Sequence, residues 1–339
     1  MYRFFSIISA CLILLSCSSR EKKNPYVLSD NKDYEHVNFN RIDQLIENFN
    51  KVDSTTQMKL INDNYEALLG FGMFADGVDT ITRANVGFWS VWPATTAFMP
   101  EINKQYTDLS QESESIGLVI STLKQNNIDI PVDSFATVAW GKYNPVVLID
   151  SLNICYIALN HYLGPEYELY TGWPSYICAF KTREMIPVDV AEAFVSTALP
   201  YDEKGSGTVL SRLLYEGARA VAKEAAVPSA GISNVLGLTP AALTVTRQNE
   251  AFMWQQLLKD NNLYSTDGDL ISNLFSVRAN SERISPDAPG RAVRLIGYNI
   301  VKSYIENNPD VELRFLLSPD FYNDGLNVLR KSNYAPKEN

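Results

Sequence analysis

The chain has 339 residues, of which 46% are hydrophobic, 20% charged and 11% aromatic, enough apolar surface for one large core and too much for a disordered chain. Lys and Arg total 29 against 39 Asp and Glu, a net charge of -10. That balance, with no basic stripe or stacking motif to follow phosphates, argues against nucleic acid as a partner.

The opening residues, MYRFFSIISACLILLSC, set Arg3 before an apolar run that ends at Leu15, too short for a membrane span and patterned as a secretion signal. The run closes on Leu14-Leu15-Ser16-Cys17, which resembles a bacterial lipobox. Cleavage there would remove residues 1–16 as a lipoprotein signal peptide and leave Cys17 as a lipidated N-terminus. Cys11 fits the pattern loosely, but a cut there would halve the apolar run. Acyl chains such as palmitate contribute about 0.8 kcal/mol per buried methylene, so an acylated Cys17 would anchor the chain without a spanning helix. Ser18 stands where an aspartate would favour inner-membrane retention, which by likeness to lipoprotein sorting implies the outer membrane. Residues 18–23 carry no acidic cluster, which points to the periplasmic face. Residues 17–38 are polar, contain Pro25, and read as lipidated N-terminus and flexible tether; 39–339 read as a single domain.

Within that domain, apolar spacing over 39–69 predicts a helix pair, with Ile42, Leu45, Ile46 and Phe49 on the first. The glycine- and aromatic-rich GFGMFADGV and VGFWSVWP read as a buried loop. Residues 101–125 return to helical spacing through Ile116, Val119, Ile120 and Leu123. The strongest β signal spans 131–165, where Val/Ile/Tyr-rich runs are broken by Gly141, Asn144-Pro145 and Asp150-Ser151. Helices then dominate, over 188–199, 208–226, 240–261 and 289–307, the last started by Asp287 and Pro289. The order makes the class α+β, mostly helical with a small β-sheet. Cys155 and Cys178 sit in apolar sequence, and a bridge or two buried thiols fit equally.

The helix TVLSRLLYEGARAVAKE places Tyr215, Glu216 and Arg219 where a zinc peptidase has the His, Glu and His of H-E-x-x-H. The helical geometry is kept and the chemistry is not, because tyrosine is a poor zinc ligand at neutral pH and arginine, always protonated, cannot be one. Only His36 and His161 exist in the chain, so no pair of imidazoles at helical spacing is available. No metal and no cofactor are expected. Arg212 precedes Glu216 by four residues and Arg219 follows by three, so a charged, solvated helix face with pairs of about 0.2–0.5 kcal/mol also explains the pattern. His161 could line a cleft or bond a turn carbonyl; Arg291 could point into the cleft or to solvent.

Most of the chain after Pro145 carries a wider resemblance. The segments LNHYLGPEYELY, REMIPVDVAEAF, LLYEGARAV, TPAALTVTRQNEAFMWQQLLKDNNLYSTD and SPDAPGRAVRLIGYNIVKSYIENNPDVELRFLL resemble the gliding-motility lipoprotein B (GldB) family of Bacteroidetes, whose members are lipoproteins. That family in turn is similar to degenerate gluzincin-type zinc peptidases, which implies a zincin-like core. In such peptidases a later helix supplies a glutamate as third zinc ligand, and Glu250 holds that place here. Glu216 and Glu250 match the peptidase pattern; Tyr215 and Arg219 depart from it. The resemblance implies a membrane-anchored, non-catalytic pseudo-peptidase of the cell envelope that binds a protein or peptide. The alternative is a hydrolase without histidine-bound zinc, using Glu216 as general base.

Overall fold

A four-stranded sheet divides the helices into two layers. The computed structural model describes residues 23–29, 34, 36–202 and 207–336; the lipobox and Cys17 lie outside the described residues. Strands β1 (Phe39–Arg41), β2 (Ser134–Val138), β3 (Val146–Ile149) and β4 (Ile154–Ala158) pair in the order β1-β2-β4-β3. The first three in that order are parallel, and β3 runs antiparallel to β4 at the edge. Between β1 and β2 come α1 (Ile42–Asn48), α2 (Ser54–Asp63), α3 (Tyr65–Ala75), α4 (Arg83–Trp89), α5 (Pro93–Gln105) and α6 (Ser110–Gln125).

After the sheet follow α7 (Ser175–Cys178), α8 (Ile186–Ala198), α9 (Val209–Ala226), α10 (Gly231–Leu236), α11 (Pro240–Gln248), α12 (Glu250–Leu258), α13 (Gly268–Phe275) and α14 (Val293–Asn307). Short helices α15 (Leu313–Leu316), α16 (Pro319–Tyr322) and α17 (Gly325–Ser332) close the chain. The class is α+β, mostly helical around a small sheet.

Side-chain alternation explains the two layers. Ala136, Val138, Ile154, Tyr156 and Ala158 point to α1–α4, while Phe135, Cys155 and Ile157 point to the larger core of α5, α6, α8, α9 and α14. Burial on both faces is why NICYIAL reads as a continuous apolar run. Strand β1 carried no sequence signal, being three residues long; it is pinned by Arg41, which forks Asp43 at 3.0 and 2.7 Å, and by Thr137 Oγ1 donating to Asp43 at 2.7 Å.

Several expectations change. The glycine-rich stretch expected as a loop is helical, in α3 and α4: Gly70 and Gly72 let the helix approach Tyr156 and Trp89, where a Cβ would collide. Tyr156 OH then donates to the Ala67 carbonyl at 2.9 Å. The segment expected as tether is docked at 24–28. Asn24 bonds the Val221 carbonyl and Glu224, and Tyr26, 7% exposed, donates to the Val311 carbonyl at 2.7 Å. The helix expected over 240–261 breaks at Asn249, and α14 starts at Val293 instead of 289, after Arg291 takes a left-handed φ of 64°. Cys155 and Cys178 are separate buried thiols.

Candidate functional site

Helix α9 is buried on nearly every side, so the charged, solvated face expected for it is corrected. Its start is capped by Thr208, whose hydroxyl accepts from the Ser211 N–H at 3.1 Å. Gly217 and Gly297 let α9 and α14 cross with backbones in contact; a Cβ on Gly217 would strike the Gly297 carbonyl, and one on Gly297 the Leu213 carbonyl. The same crossing brings Arg294 beside Glu216.

Helical spacing puts Arg212, Glu216, Arg219 and Lys223 on one stripe of α9, and Asp189, Glu192 and Ser196 on the facing stripe of α8. The stripes interlock. Glu216, its side chain 1% exposed, receives Arg212 at 2.8 Å on one oxygen, and Arg219 at 2.9 Å and Arg294 at 3.2 Å on the other. Arg219 also pairs with Glu192 and donates to Ser196 Oγ at 3.2 Å, and Lys223 reaches Glu192 at 2.7 Å. Tyr215 forms the floor. Its ring centroid lies 5.4 Å below the Arg219 guanidinium and its hydroxyl donates to the Leu199 carbonyl at 2.8 Å.

These neighbours set the protonation states. Burial pushes the Glu216 carboxyl up, but Arg219, Arg294 and Arg212 together outweigh it and hold it below the usual range. Glu192 is lowered in the same way against its own burial, by Lys223 and Arg219. Asp189, which accepts from Tyr162 OH at 2.8 Å, is raised by burial to about 6.

Above the network opens a cavity of about 520 Å³. Its polar wall is made by Asp189, Glu192, Lys223, Arg291 and Arg294, and its aromatic wall by Tyr143, Trp173, Tyr176 and Phe180. His161 sits between them. Its Nε2 lies 2.9 Å from the Lys142 carbonyl and its Nδ1 3.0 Å from Lys181 Nζ, and burial together with the Lys181 charge lowers it to about 4. A neutral ring donating to Lys142 can accept from Lys181. Lys181 lies over the Trp173 and Tyr170 rings at 4.2 and 4.8 Å and is lowered by burial to about 8. Arg291 lines the same cavity and donates to the Gly237 carbonyl at 2.9 Å; burial first, then Arg294, lowers it to about 10.

Tyr215, Glu216 and Arg219 are therefore together, and His161 and Arg291 share the cavity beside them. Glu250 is not with them. It accepts from Asn299 at 2.6 Å and Tyr334 at 2.7 Å, and lines a different cavity. A zinc ion does not fit this donor set, because the guanidiniums of Arg212, Arg219 and Arg294 crowd Glu216 and repel a dication. Among the described residues no three His, Cys, Asp or Glu side chains converge as a metal-ligand group. Sequence reasoning missed Glu192, Asp189, Lys223, Lys181 and Arg294. The signal for the first two was legible as polar residues at helical spacing in the apolar stretch VDVAEAFVS.

An α+β protein with a buried charge network under an aromatic cleft, and with no helix among its described residues long and apolar enough to cross a membrane, defines the class. The sequence profile described as gliding motility protein GldB matches residues 21–336, and the chain belongs to that family. Membership places it among gliding-motility lipoproteins of the cell envelope. No curated protein and no solved structure matches the chain.

Proposed function

We propose that the protein is a non-catalytic pseudo-peptidase, anchored through lipidated Cys17 in the outer membrane and facing the periplasm, that holds an extended segment of a partner protein. One observation carries the reading: both oxygens of Glu216, the carboxylate that would activate water in a peptidase, are engaged by Arg212, Arg219 and Arg294. A carboxylate so held is a weak base near neutrality and presents no free lone pair to a water in the cavity. The same cage disfavours the alternative of a hydrolase with Glu216 as general base. The zincin-like ancestry rests on the sequence resemblance, and the edge strand β3 upstream of α9 accords with it.

The cavity supports binding over a scaffold whose cleft is filled by its own side chains. Tyr143 and Pro145 line its mouth and lead directly into β3, which has no strand partner on its outer side among the described residues. An extended peptide can add to such an edge through main-chain hydrogen bonds. The bound segment would belong to a protein of the gliding or linked secretion apparatus. The test is a pair of measurements. Purified protein should cleave no peptide in a Glu216-dependent manner; cleavage abolished by Glu216→Gln would overturn the reading. A photo-crosslinking residue at Tyr143, which is 81% exposed, should trap one envelope protein in living cells, whereas the same residue at Leu326 should not. Equal trapping at both positions would also count against it.

A further inference from the structure

Two cations of the cavity, Lys181 and Arg291, have no ion-pair partner among the described residues and feel the wall's carboxylates only at longer range. Lys181 is 6% exposed, yet its ammonium meets only a neutral imidazole nitrogen and two aromatic faces. Among the described residues it has no ion-pair partner. Arg291 likewise has no carboxylate partner among them and bonds only the Gly237 carbonyl. Its backbone is held at a φ of 64°, a conformation that costs a non-glycine residue about 1 kcal/mol or more. Gly237, itself left-handed, leaves just enough room, since a Cβ there would lie 3.1 Å from the guanidinium. Arg294, though paired to Glu216, adds a buried Nε with no hydrogen-bond partner. Of the carboxylates on the wall, Glu192 is committed to Arg219 and Lys223, and Asp189 to Tyr162.

Burying a charge without a partner is costly, and backbone strain that persists at a cleft marks a place where a ligand offsets it. The protein carries a net charge of -10, so cations gathered in one cleft are not a general surface property. We infer that the cavity is a carboxylate-binding pocket, in which Lys181, Arg291 and Arg294 receive the acidic group of a peptide while Tyr143, Trp173, Tyr176 and Phe180 take the apolar residue before it. This deepens the peptide-binding reading and rests on it. A guanidinium fork matches a carboxylate in shape, and the volume suits two to three residues. The carboxylate can come from a chain terminus or from an Asp or Glu side chain, and the probes separate the two.

The full-length protein in detergent is titrated by calorimetry with N-acetyl-Phe-Glu, N-acetyl-Phe-Glu-amide, N-acetyl-Phe-Gln and N-acetyl-Phe-Gln-amide. At least one carboxylate-bearing probe should bind with a Kd of about 1 mM or below, and at least tenfold more tightly than the doubly neutral one. Binding of N-acetyl-Phe-Gln alone among the singly charged probes would assign a terminus, and of N-acetyl-Phe-Glu-amide a side chain. Lys181→Met and Arg291→Gly should each lose that preference while the melting temperature holds or rises, because each removes an unpaired buried charge and the second also removes the strain. A lower melting temperature in both variants would mean the cations are structural and would overturn the inference. Equal binding of the neutral probe would overturn it too, but would leave the peptide reading standing. Binding of no probe would overturn the inference alone, since crosslinking at Tyr143 decides the partner reading separately. Displacement of the peptide by an equal concentration of inorganic phosphate would assign a phosphoryl group in place of the carboxylate.

Discussion

Glu216→Gln removes one negative charge and changes little else in shape. Its consequence follows from what surrounds it. Three guanidiniums lie within 3.2 Å of a side chain that is 1% exposed. Arg212, 25% exposed, can turn to water, and Arg219 keeps Glu192. Arg294, 14% exposed, has no other carboxylate partner among the described residues and would be left as a largely buried, unpaired charge on the cavity wall. Removing one partner of a buried ion pair costs about 3–5 kcal/mol, a large part of the roughly 5–15 kcal/mol that stabilises a domain. A solvated face pair, the reading the sequence allowed, would cost below about 1 kcal/mol. Equilibrium urea unfolding of the variant should show a lower midpoint with an unchanged slope, the mark of lost stability without altered compactness. A loss below about 1 kcal/mol would refute the buried-cage account, and Arg212→Ala, which strips only the exposed member, provides the comparison with an expected loss near 1 kcal/mol.

Gly217→Ala should destabilise by at least about 1–3 kcal/mol, the usual cost of overpacking, because the new methyl meets a backbone carbonyl that cannot rotate aside; a neutral or stabilising result in the same unfolding assay would show that α9 and α14 are not in backbone contact. His161 should remain neutral well below its ordinary pKa. Since its folded value is near 4 and its unfolded value near 6.5, the unfolded state binds more protons between them, so the stability it contributes is complete above pH 6.5 and is lost on acidification to 4. Wild type should therefore lose about 3 kcal/mol relative to His161→Gln over that window, Asp189 being common to both proteins. An NMR titration of the His161 ring with an inflection near 6.5 would contradict this.

Much of the architecture was legible because it is written in local periodicity. The strands at 134–138 and 154–158 announce themselves by runs of β-branched and aromatic residues, and α8 and α9 by apolar spacing, α9 also by its Thr208 cap. The strand at 39–41 and the helical character of GFGMF were not, since three residues carry no period and glycine counts as a breaker unless a close neighbour demands it. The candidate site divides along the same line. That Tyr215 and Arg219 stand where an H-E-x-x-H pattern would have its histidines, and that the whole chain has only two histidines, can be read from the sequence alone. So is membership in a family of envelope lipoproteins.

What the sequence left open was the environment of each charge. Arg212, Glu216 and Arg219 have the same spacing whether they face water or a core, because helical period fixes which residues share a stripe and says nothing about what lies opposite it. Only the packing of α8 and α14 onto α9 made the stripe a buried cage, and only the crossing at Gly217 and Gly297 brought Arg294 to it. The cavity, with Lys181 and Arg291 at its wall and without an ion-pair partner among the described residues, draws on residues more than a hundred positions apart. Such a site is set by long-range contacts, which determine desolvation and therefore charge state, and no local pattern in the chain encodes them.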